Sequence, residues 1–273
     1  MYTIKDSERE DMLEAYDKYN NLIGKAVISP FMESDLYEKS RLNIYIDIMV
    51  TDVTNKIELK DQLFDEIMVR SRAIKEKNKD LDVRVYHCCF SDNNENIAYY
   101  SSKEGFKYDE GMHVIKKEIT EDNFEILDID GINFTKLKFI DEDELIQLVE
   151  KQNKVFAWGY SVNDLKKLRN ENQWFSIAAK HDGEIVGNIV IVMKEDEVNT
   201  KYGWVDDLFV SKEWRKRGIG KNLLIRAFKD LRDLDIKESR LEVWSANKRA
   251  LSVYSSVGYK FYKETESSIG MFL

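Results

Sequence analysis

The 273-residue sequence contains little of several residue types, and each shortage excludes a class of protein. Its single proline argues against a flexible proline-rich linker, and its two cysteines, Cys88 and Cys89, are adjacent. Because neighbouring residues of a strand point to opposite faces, a disulfide between them would be strained, and we interpret both as reduced apolar residues rather than a redox or nucleophilic pair. The three histidines, His87, His113 and His181, are scattered and predict no metal site.

Long apolar runs and positive charge are also scarce. No run of about eighteen apolar residues occurs, so the sequence predicts no membrane span. The N-terminal segment Met1–Asp6 lacks the charged-then-apolar order of a signal peptide, which predicts a cytoplasmic protein. The net charge of −9 gives no support to a nucleic-acid surface and mildly favours a cationic substrate. A hydrophobic content of 43% is ample for one large or two modest domains.

The most informative segment is the basic, glycine-containing turn Arg215–Gly220. It follows the strand-like run Trp204–Val210 and opens the helix-like run Lys221–Phe228. Glycine allows a positive φ, and the first turn of a helix offers N–H groups without intrahelical partners at the positive end of its dipole. Full positive charges around this turn come from Arg215, Lys216, Arg217 and Lys221. The pattern predicts a site for a pyrophosphate; the alternative is a tight turn with a solvated basic face.

Spacing excludes two other phosphate-binding turns. A P-loop requires Lys-Ser or Lys-Thr after its second glycine, whereas Lys221 is followed by Asn222. The dinucleotide fingerprint requires a third glycine where Leu223 stands. The pattern that fits is Arg/Gln-x-x-Gly-x-Gly/Ala, which is matched by Arg215, Gly218 and Gly220. This segment resembles the acyl-coenzyme-A pyrophosphate loop of the GNAT N-acetyltransferase superfamily.

A second signature of the same family follows at the family's spacing. After the strand-like run Ser239–Trp244 come Asn247, Ala250, Tyr254, Gly258 and Tyr259. They resemble the family's Asn-x-x-Ala-x-x-x-Tyr-x-x-x-Gly-Phe/Tyr segment. The resemblance implies an α/β fold with a mixed (α+β) sheet that has helices on both faces. It also implies acetyl-CoA as cosubstrate, without a metal.

The chain contains this order of elements twice. The segment Asn94–Phe106 resembles Asn247–Tyr259, and upstream of it lie a strand-like run, a helix-like run and a second strand-like run: Arg41–Val50, Leu59–Lys77 and Val83–His87. We therefore predict two tandem GNAT-like units, residues 1–128 and 129–273. In the second unit, Asp182-Gly183 predicts a hairpin turn, and Ser161 with Asp164 predicts the start of a helix.

The two copies differ where the resemblance places the chemistry. When Val50 is set against Val210, Glu58 falls opposite Gly218 and Lys60 opposite Gly220. The same alignment sets Asn55 opposite Arg215, and aligning Gly105 with Gly258 sets Ser101 opposite Tyr254. A glutamate in place of the glycine adds a repelling charge and a Cβ. We therefore predict that unit 1–128 is degenerate, lacks a phosphate loop, and acts as a scaffold, a substrate cap or a dimerisation surface.

Asp206 is the predicted general base. Strand alternation places Trp204, Asp206 and Leu208 on one face, which by resemblance looks into the substrate cleft. Asp206 then either accepts the proton of the amine or only positions the substrate ammonium. Asp207 is expected on the other face with a structural role, and Glu242 on the neighbouring strand is the alternative base.

Tyr254 is the predicted general acid, which protonates the departing thiolate; the alternative is a core tyrosine on an amphipathic helix. A phenol with a pKa of about 10 can lend a proton to a thiolate with a pKa of about 8.5 through a hydrogen bond. Asn247 is expected to bond the pantetheine arm, to cap the helix, or both. The predicted cofactor-binding residues are Leu208, Phe209, Val210, Arg215, Lys216, Arg217, Gly218, Ile219, Gly220, Lys221 and Asn247.

These residues predict an N-acetyltransferase that moves an acetyl group to a primary amine. No side chain in the motifs is a suitable nucleophile, so we expect direct attack within a ternary complex. The expected partners are acetyl-CoA and a small amine or peptide amine, with no nucleic acid or membrane, in a monomer or homodimer. The alternatives are a non-catalytic coenzyme-A-binding regulatory or interaction module, and a scaffold in which both units are inert.

Overall fold

The computed structural model describes residues 2–9, 11–34, 36–37, 39–51, 55–120, 125–156, 159–171 and 173–273. Met1 of the N-terminal segment considered above lies outside these ranges. The chain forms two compact units. Unit 1 comprises Met1–Met112, Trp244–Lys248 and Glu264–Leu273, and unit 2 comprises His113–Val243 and Arg249–Lys263. The predicted functional division at residue 128 stays a prediction.

Unit 1 is built on a sheet whose strands follow the order β1-β2-β3-β4-β5-β12. Its elements are β1 (Thr3–Asp6), β2 (Met12–Tyr16), β3 (Leu22–Glu33), β4 (Arg41–Val50), α1 (Lys56–Lys77), β5 (Asp82–Phe90) and α2 (Asn94–Ser101). Two further strands, β6 (Lys107–Glu118) and β12 (Lys260–Phe272), have residues in both units. Strands β4 and β5 are parallel, whereas the pairs β1–β2, β2–β3, β3–β4 and β5–β12 are antiparallel.

The core of unit 1 forms where the buried face of β4 packs against the buried face of α1. Every second residue of β4 is buried, namely Leu42, Ile44, Ile46 and Ile48. They share a cluster with Leu59, Leu63 and Ile67 of α1, which recur at the spacing of a helix face. Full burial of such a side chain contributes roughly 1.5–3 kcal/mol, so this strand–helix contact is a main source of stability in the unit.

The strands of unit 2 follow the order β6-β11-β10-β9-β8-β7. Its elements are β7 (Asn133–Leu137), α3 (Glu142–Asn153), α4 (Val162–Arg169), β8 (Trp174–His181), β9 (Glu184–Glu195), β10 (Lys201–Val210), a 3₁₀ turn (Lys212–Trp214), α5 (Ile219–Asp233), β11 (Glu238–Trp244) and α6 (Lys248–Ser256). Strands β10 and β11 are parallel, and β7 to β10 are antiparallel neighbours.

Helices cover both faces of the unit 2 sheet. On one face α5 packs Leu223, Ala227 and Leu231 into the cluster that contains Val205. On the other face α3 and α4 pack into the cluster that contains Phe209. The predicted mixed α/β sheet with helices on both faces is therefore confirmed. No described helix is long and apolar enough to cross a bilayer.

Two short sequence patterns in unit 2 form the structures that they predicted. Asp182 and Gly183 have φ angles of 49° and 85°, as a two-residue hairpin turn between β8 and β9 requires. Ser161 accepts a hydrogen bond from the backbone of Asp164, whose carboxylate bonds back to Ser161, so α4 begins with a complete capping box. The hairpin turn and the capping box therefore set where β9 and α4 begin.

Candidate active site

The parallel strands β10 and β11 separate after a short contact. They are in register only at Gly203↔Ser239 and Trp204↔Arg240. Strand β10 continues to Val210, held on its other side by β9 as far as the pair Val210↔Gly187. One edge of the second half of β10 therefore has no strand in register with it among the described residues. Backbone N–H and C=O groups on such an edge are available to an extended, amide-containing ligand.

The turn that follows β10 presents the N-terminus of α5. Lys216 and Gly218 both have positive φ, 62° and 82°, and Gly218 is the residue that caps the helix. The bond from the Asn222 N–H to the Gly218 carbonyl, 2.9 Å, closes the first helical turn. The N–H groups that precede it have no intrahelical acceptor, and the first turn contains no acidic residue. This is the geometry of an anion site.

The basic side chains of the turn leave its positive charge largely uncompensated. The Arg215 Nε donates to the Val210 carbonyl at 3.0 Å, which ties the turn to the end of β10. Arg217 lies over the ring of Trp214, 4.5 Å from its centroid. The residues predicted to bind the pyrophosphate thus lie together at the start of α5, and three of them, Lys216, Arg217 and Lys221, form no ion pair within the described ranges.

A β-bulge changes which side chains of β10 share a face. The register with β9 shifts between Val205 and Asp207, so Asp206 is the extra residue. Val205 and Leu208 both pack against the α5 cluster, although a regular strand would point them to opposite faces. The prediction that Trp204, Asp206 and Leu208 share one face is therefore wrong beyond the bulge.

The two neighbouring carboxylates of β10 meet different partners. Asp206 is exposed and accepts a hydrogen bond from the Tyr160 hydroxyl. Asp207 is half-buried and is hydrogen-bonded by the side chain of Gln152, on α3. Because Gln152 also bonds the backbone of Tyr160, both carboxylates reach the connection between α3 and α4. The expectation that Asp207 points away from this side is wrong, for the same reason.

The environment of Asp207 gives it a titration near neutrality. Burial raises the pKa of Asp207 to about 7, the charge of Asp206 adds to this increase, and the hydrogen bond from Gln152 opposes it. Sequence reasoning treated this residue as structural. The only signal in the sequence was the adjacent pair of acids near the end of an apolar strand, which does not reveal the bulge.

Tyr254 lies on α6, and the charge of Asp207 acts on its hydroxyl. Burial raises the pKa of Tyr254, and the charge of Asp207 raises it further, so the phenol stays protonated at neutral pH. Among the described residues its hydroxyl has no hydrogen-bond partner, while its ring meets Tyr259 edge-to-face at 5.7 Å. A protonated, uncommitted hydroxyl near a titrating carboxyl is a suitable proton donor.

The other predicted residues have these positions. Phe209 and Ile219 are buried core residues, so only their backbones can face a ligand. Asn247 lies in unit 1 directly before α6, and its N–H donates to the Trp244 carbonyl at 2.9 Å. Glu242, the alternative base, is exposed on β11. In the described part of the chain, no group of three or more His, Cys, Asp or Glu residues could hold a metal ion.

Comparison with known proteins agrees with this geometry. Residues 140–259 match the model of the acetyltransferase (GNAT) family. An N-alpha-acetyltransferase MAK3 of Arabidopsis thaliana is 38% identical over 81 residues, which are 30% of this chain and 42% of that protein. This chain therefore matches less than half the length of that relative.

Two solved structures resemble nearly the whole chain. The GCN5-related N-acetyltransferase of Sphaerobacter thermophilus has a TM-score of 0.50 at 16% identity, over 96% of this chain and 80% of that one. A tandem GNAT protein from the clavulanic acid biosynthesis pathway has a TM-score of 0.48 at 10% identity, over 98% and 82%. At these identities the first likeness concerns the fold alone. The segment that matches a family model, residues 140–259, is thus similar to the acetyltransferase (GNAT) family.

Proposed function

We propose that this protein is an acetyl-CoA-dependent N-acetyltransferase whose active site lies in unit 2. The observation that carries the proposal is the gap between β10 and β11 beside the basic turn at the start of α5. The turn suits a pyrophosphate and the free edge of β10 suits the amides of a pantetheine arm. One ligand, coenzyme A, contains both groups in this order.

The cosubstrate would be held mainly by backbone groups. The pyrophosphate would accept hydrogen bonds from the N–H groups of Ile219 and Gly220, with Lys216, Arg217 and Lys221 supplying charge. The pantetheine arm would pair with Leu208 to Val210 as an added strand. The N–H of Val210 is the proposed donor to the oxyanion that forms on the thioester carbonyl.

The incoming amine must lose a proton, and the two carboxylates divide that task. An α-amino group has a pKa of about 8, so about one molecule in ten is neutral at pH 7. We assign the exposed Asp206, tied to the Tyr160 hydroxyl, to hold the substrate ammonium. Asp207, whose pKa is about 7, accepts the proton directly or through a water molecule. The predicted base role of Asp206 remains the alternative.

The transfer itself is a direct displacement. The neutral amine nitrogen attacks the thioester carbonyl carbon, the new C–N bond forms, and the C–S bond breaks. Tyr254 gives its proton to the leaving thiolate, and the proton lost by the amine returns through Asp207 to the phenolate. The products are an acetylated amine and the free thiol of coenzyme A, with no covalent enzyme intermediate.

The acceptor class to test first is the α-amino group of a polypeptide. The support is the 38% identity to an N-alpha-acetyltransferase, which extends over 81 residues of this chain. A base with a pKa of about 7 also suits an α-amine better than a lysine side chain, whose pKa is about 10.4. Small amines, which the acidic net charge would attract, are the second class.

The test is a screen of purified protein with acetyl-CoA and a panel of acceptors. The panel contains peptides with free α-amines, the same peptides with blocked α-amines, polyamines and aminoglycosides. Thiol release together with a mass increase of the acceptor would support the proposal. Coenzyme-A binding without thiol release across the panel would favour a regulatory module, and absence of binding would favour a scaffold.

A further inference from the structure

Gln152 is a polar residue at a position where its helix otherwise buries apolar side chains. It is 3% exposed and continues the inward face of α3 that also carries Leu145 and Leu148. A buried amide is destabilising unless its donors and acceptor are hydrogen-bonded. An apolar residue would fit this position of the cluster. The role of the amide is therefore inferred from its hydrogen-bond partners.

The amide of Gln152 joins two parts of the site. Its Oε1 accepts the Tyr160 N–H at 2.8 Å, which leaves its NH₂ group to donate to the carboxyl of Asp207. Its backbone carbonyl accepts from the N–H groups of Val155 and Phe156, at 2.8 and 2.9 Å. One residue thus holds both ends of the α3–α4 connection and one of the two carboxylates.

The chain packs directly on this amide. A Cβ added at Gly159 would lie 2.7 Å from the Oε1 of Gln152 and 2.6 Å from the Oδ1 of Asn153. A side chain at position 159 would therefore displace the ends of the Gln152 and Asn153 side chains. The next residue, Tyr160, donates its hydroxyl to Asp206. The contacts run without a break from Asp206 through Tyr160 and Gln152 to Asp207.

We propose that Gln152 is a positioning residue for the proposed acetyl transfer: it aims the carboxyl of Asp207 and holds Tyr160 against Asp206. The inference rests on the function proposed above, because it assigns a task to that site. In this arrangement one amide allows the two acids to have different roles. Asp206 is tied to a phenol at the entrance, and Asp207 is held for the proton.

The charges around Asp207 set the expected response. Asp206 on the same strand disfavours the charged form of Asp207, as does burial, while the NH₂ of Gln152 favours it. Tyr254 on α6 and Tyr160 beside α4 are both held protonated, with Asp164 acting on Tyr160 as well. Gln152 and the backbone of Leu208 both favour the ionised carboxylate, so loss of the Gln152 amide should shift the titration of Asp207 to higher pH.

Two variants and a matched control test this. Gln152→Glu keeps the size and the acceptor for the Tyr160 N–H but replaces the donor with a charge, and Gln152→Leu removes both bonds. Gln147→Leu is the control, because Gln147 lies on the same helix and accepts the Ile185 N–H at 2.8 Å. Among the described residues, Gln147 forms no bond to either carboxylate.

The acid limb of the kcat/KM profile is the diagnostic readout. We expect Gln152→Glu to move it up by about one unit or more, and Gln152→Leu by less. A shift of one unit lowers kcat/KM about tenfold at pH values well below the limb and leaves the alkaline plateau in place. Gln147→Leu should leave the limb where the parent protein has it. A limb that does not move in Gln152→Glu would overturn the proposal.

A second measurement does not depend on turnover. The carboxyl carbon of Asp207, assigned by its disappearance in Asp207→Asn, can be titrated by NMR in the parent protein and in Gln152→Glu. If no acceptor is ever acetylated but the titration shifts, the proposed function fails and the contact stands. If acetyl transfer occurs and the titration is unchanged, the positioning role fails alone. An equal shift in Gln147→Leu would also contradict it.

Discussion

The two units contain a similar gap between parallel strands, and they treat it in opposite ways. In unit 1, β4 and β5 are in register from Arg41↔Asp82 to Tyr45↔Tyr86. Directly beyond the last pair, the ring of His87 bonds the carbonyl of Ile46 through Nδ1 at 3.0 Å. In unit 2 no side chain is seen to take the corresponding place along β10 among the described residues. One gap is closed by the chain itself, and the other is open to a ligand.

A partly buried chain of hydrogen bonds supports the closure in unit 1. The Nε2 of His87 accepts from the Asn96 amide at 3.3 Å, and the Asn96 Oδ1 accepts from the Lys60 Nζ at 3.1 Å. The imidazole stacks on Tyr100 with 4.0 Å between centroids. Burial lowers the pKa of His87, so the ring is neutral and donates from Nδ1. Lys60, which the alignment set opposite Gly220, therefore belongs to a filled core.

This difference shows that the order of elements does not by itself make a cofactor site. Both units place a helix after the first strand of the gap, and both end the following helix with a glycine in the left-handed region, Gly105 at φ 81° and Gly258 at φ 94°. What differs is the set of side chains at the gap. We propose that these side chains, and not a different fold, keep a cofactor out of unit 1.

The largest expected effect comes from removing the chain end that completes unit 1. Deleting Glu264–Leu273 strips β5 of its antiparallel partner from Glu266↔Phe90 to Phe272↔Arg84, and it removes the buried Ile269. We expect unit 1 to lose its cooperative unfolding transition, as measured by calorimetry. Phe261→Ser on the same strand, 61% exposed, is the control and should change stability by less than about 0.5 kcal/mol. An intact unfolding transition after the deletion would contradict the assignment of Glu264–Leu273 to unit 1.

Gly218→Glu copies into unit 2 the residue that unit 1 has at the aligned position. A non-glycine residue at φ 82° is strained, and the carboxylate would repel a pyrophosphate. We expect the affinity for coenzyme A to fall at least ~100-fold by calorimetry, about 2.7 kcal/mol. Gly183→Ala is the control, because it has a similar strain at φ 85° but its Cβ meets nothing within 4 Å. It should bind as the parent protein does.

Tyr254→Phe removes the proposed acid and keeps the ring that packs in the core. We expect kcat to fall about 100-fold with little change in KM, since a positioned acid typically contributes a factor of this size. The matched variant is Tyr259→Phe, which loses a hydrogen bond to Ser239 at 2.6 Å. That variant should lose stability and retain turnover. Equal kcat losses in both variants would assign Tyr254 a packing role instead.

Asp207→Asn tests the environment of the carboxylate through stability. Because the pKa of Asp207 is raised to about 7 in the folded protein, the protonated form favours folding below neutrality. This contribution is lost as the pH rises through 7, where the half-buried charge must form. The variant should therefore be more stable than the parent at pH 8, by about 2 kcal/mol, and the difference should shrink as the pH falls and disappear below about pH 4, the ordinary pKa of an aspartate. A difference that does not depend on pH would show that Asp207 titrates normally.

The sequence was sufficient for the parts of the site that depend on local signals. The basic turn with Gly218, the start of α4 at Ser161, and the hairpin at Asp182-Gly183 each depend on a few consecutive residues with special backbone or capping needs. The bulge at Asp206 was not predictable in this way. A bulge is set by the pairing of β10 with β9, and the residues around it contain no glycine or proline to mark it.

Contacts between distant residues were equally out of reach. The closure of unit 1 requires Lys60, His87 and Asn96 to meet, and they come from three separate elements. Alignment of the two copies set Lys60 opposite Gly220, and the sequence alone indicated only that a glycine was absent there. Its partners show that it is part of a hydrogen-bonded core, which no spacing rule contains. The same is true of Gln152, whose importance follows from where Tyr160 and Asp207 lie.

The smallest expected effect is on cofactor stoichiometry. Equilibrium dialysis should give one coenzyme A per chain, and the double variant Glu58→Gly with Lys60→Gly should leave that number unchanged. Restoring glycines at the aligned positions does not reopen the gap, because His87 still bonds Ile46 and still stacks on Tyr100. Two glycines within α1 should destabilise the protein by about 1 kcal/mol each through backbone freedom, and the lost bond from Lys60 to Asn96 should add to this, which thermal unfolding will report. A second equivalent of bound cofactor in the variant would mean that the missing glycines, and not the filled gap, had closed unit 1.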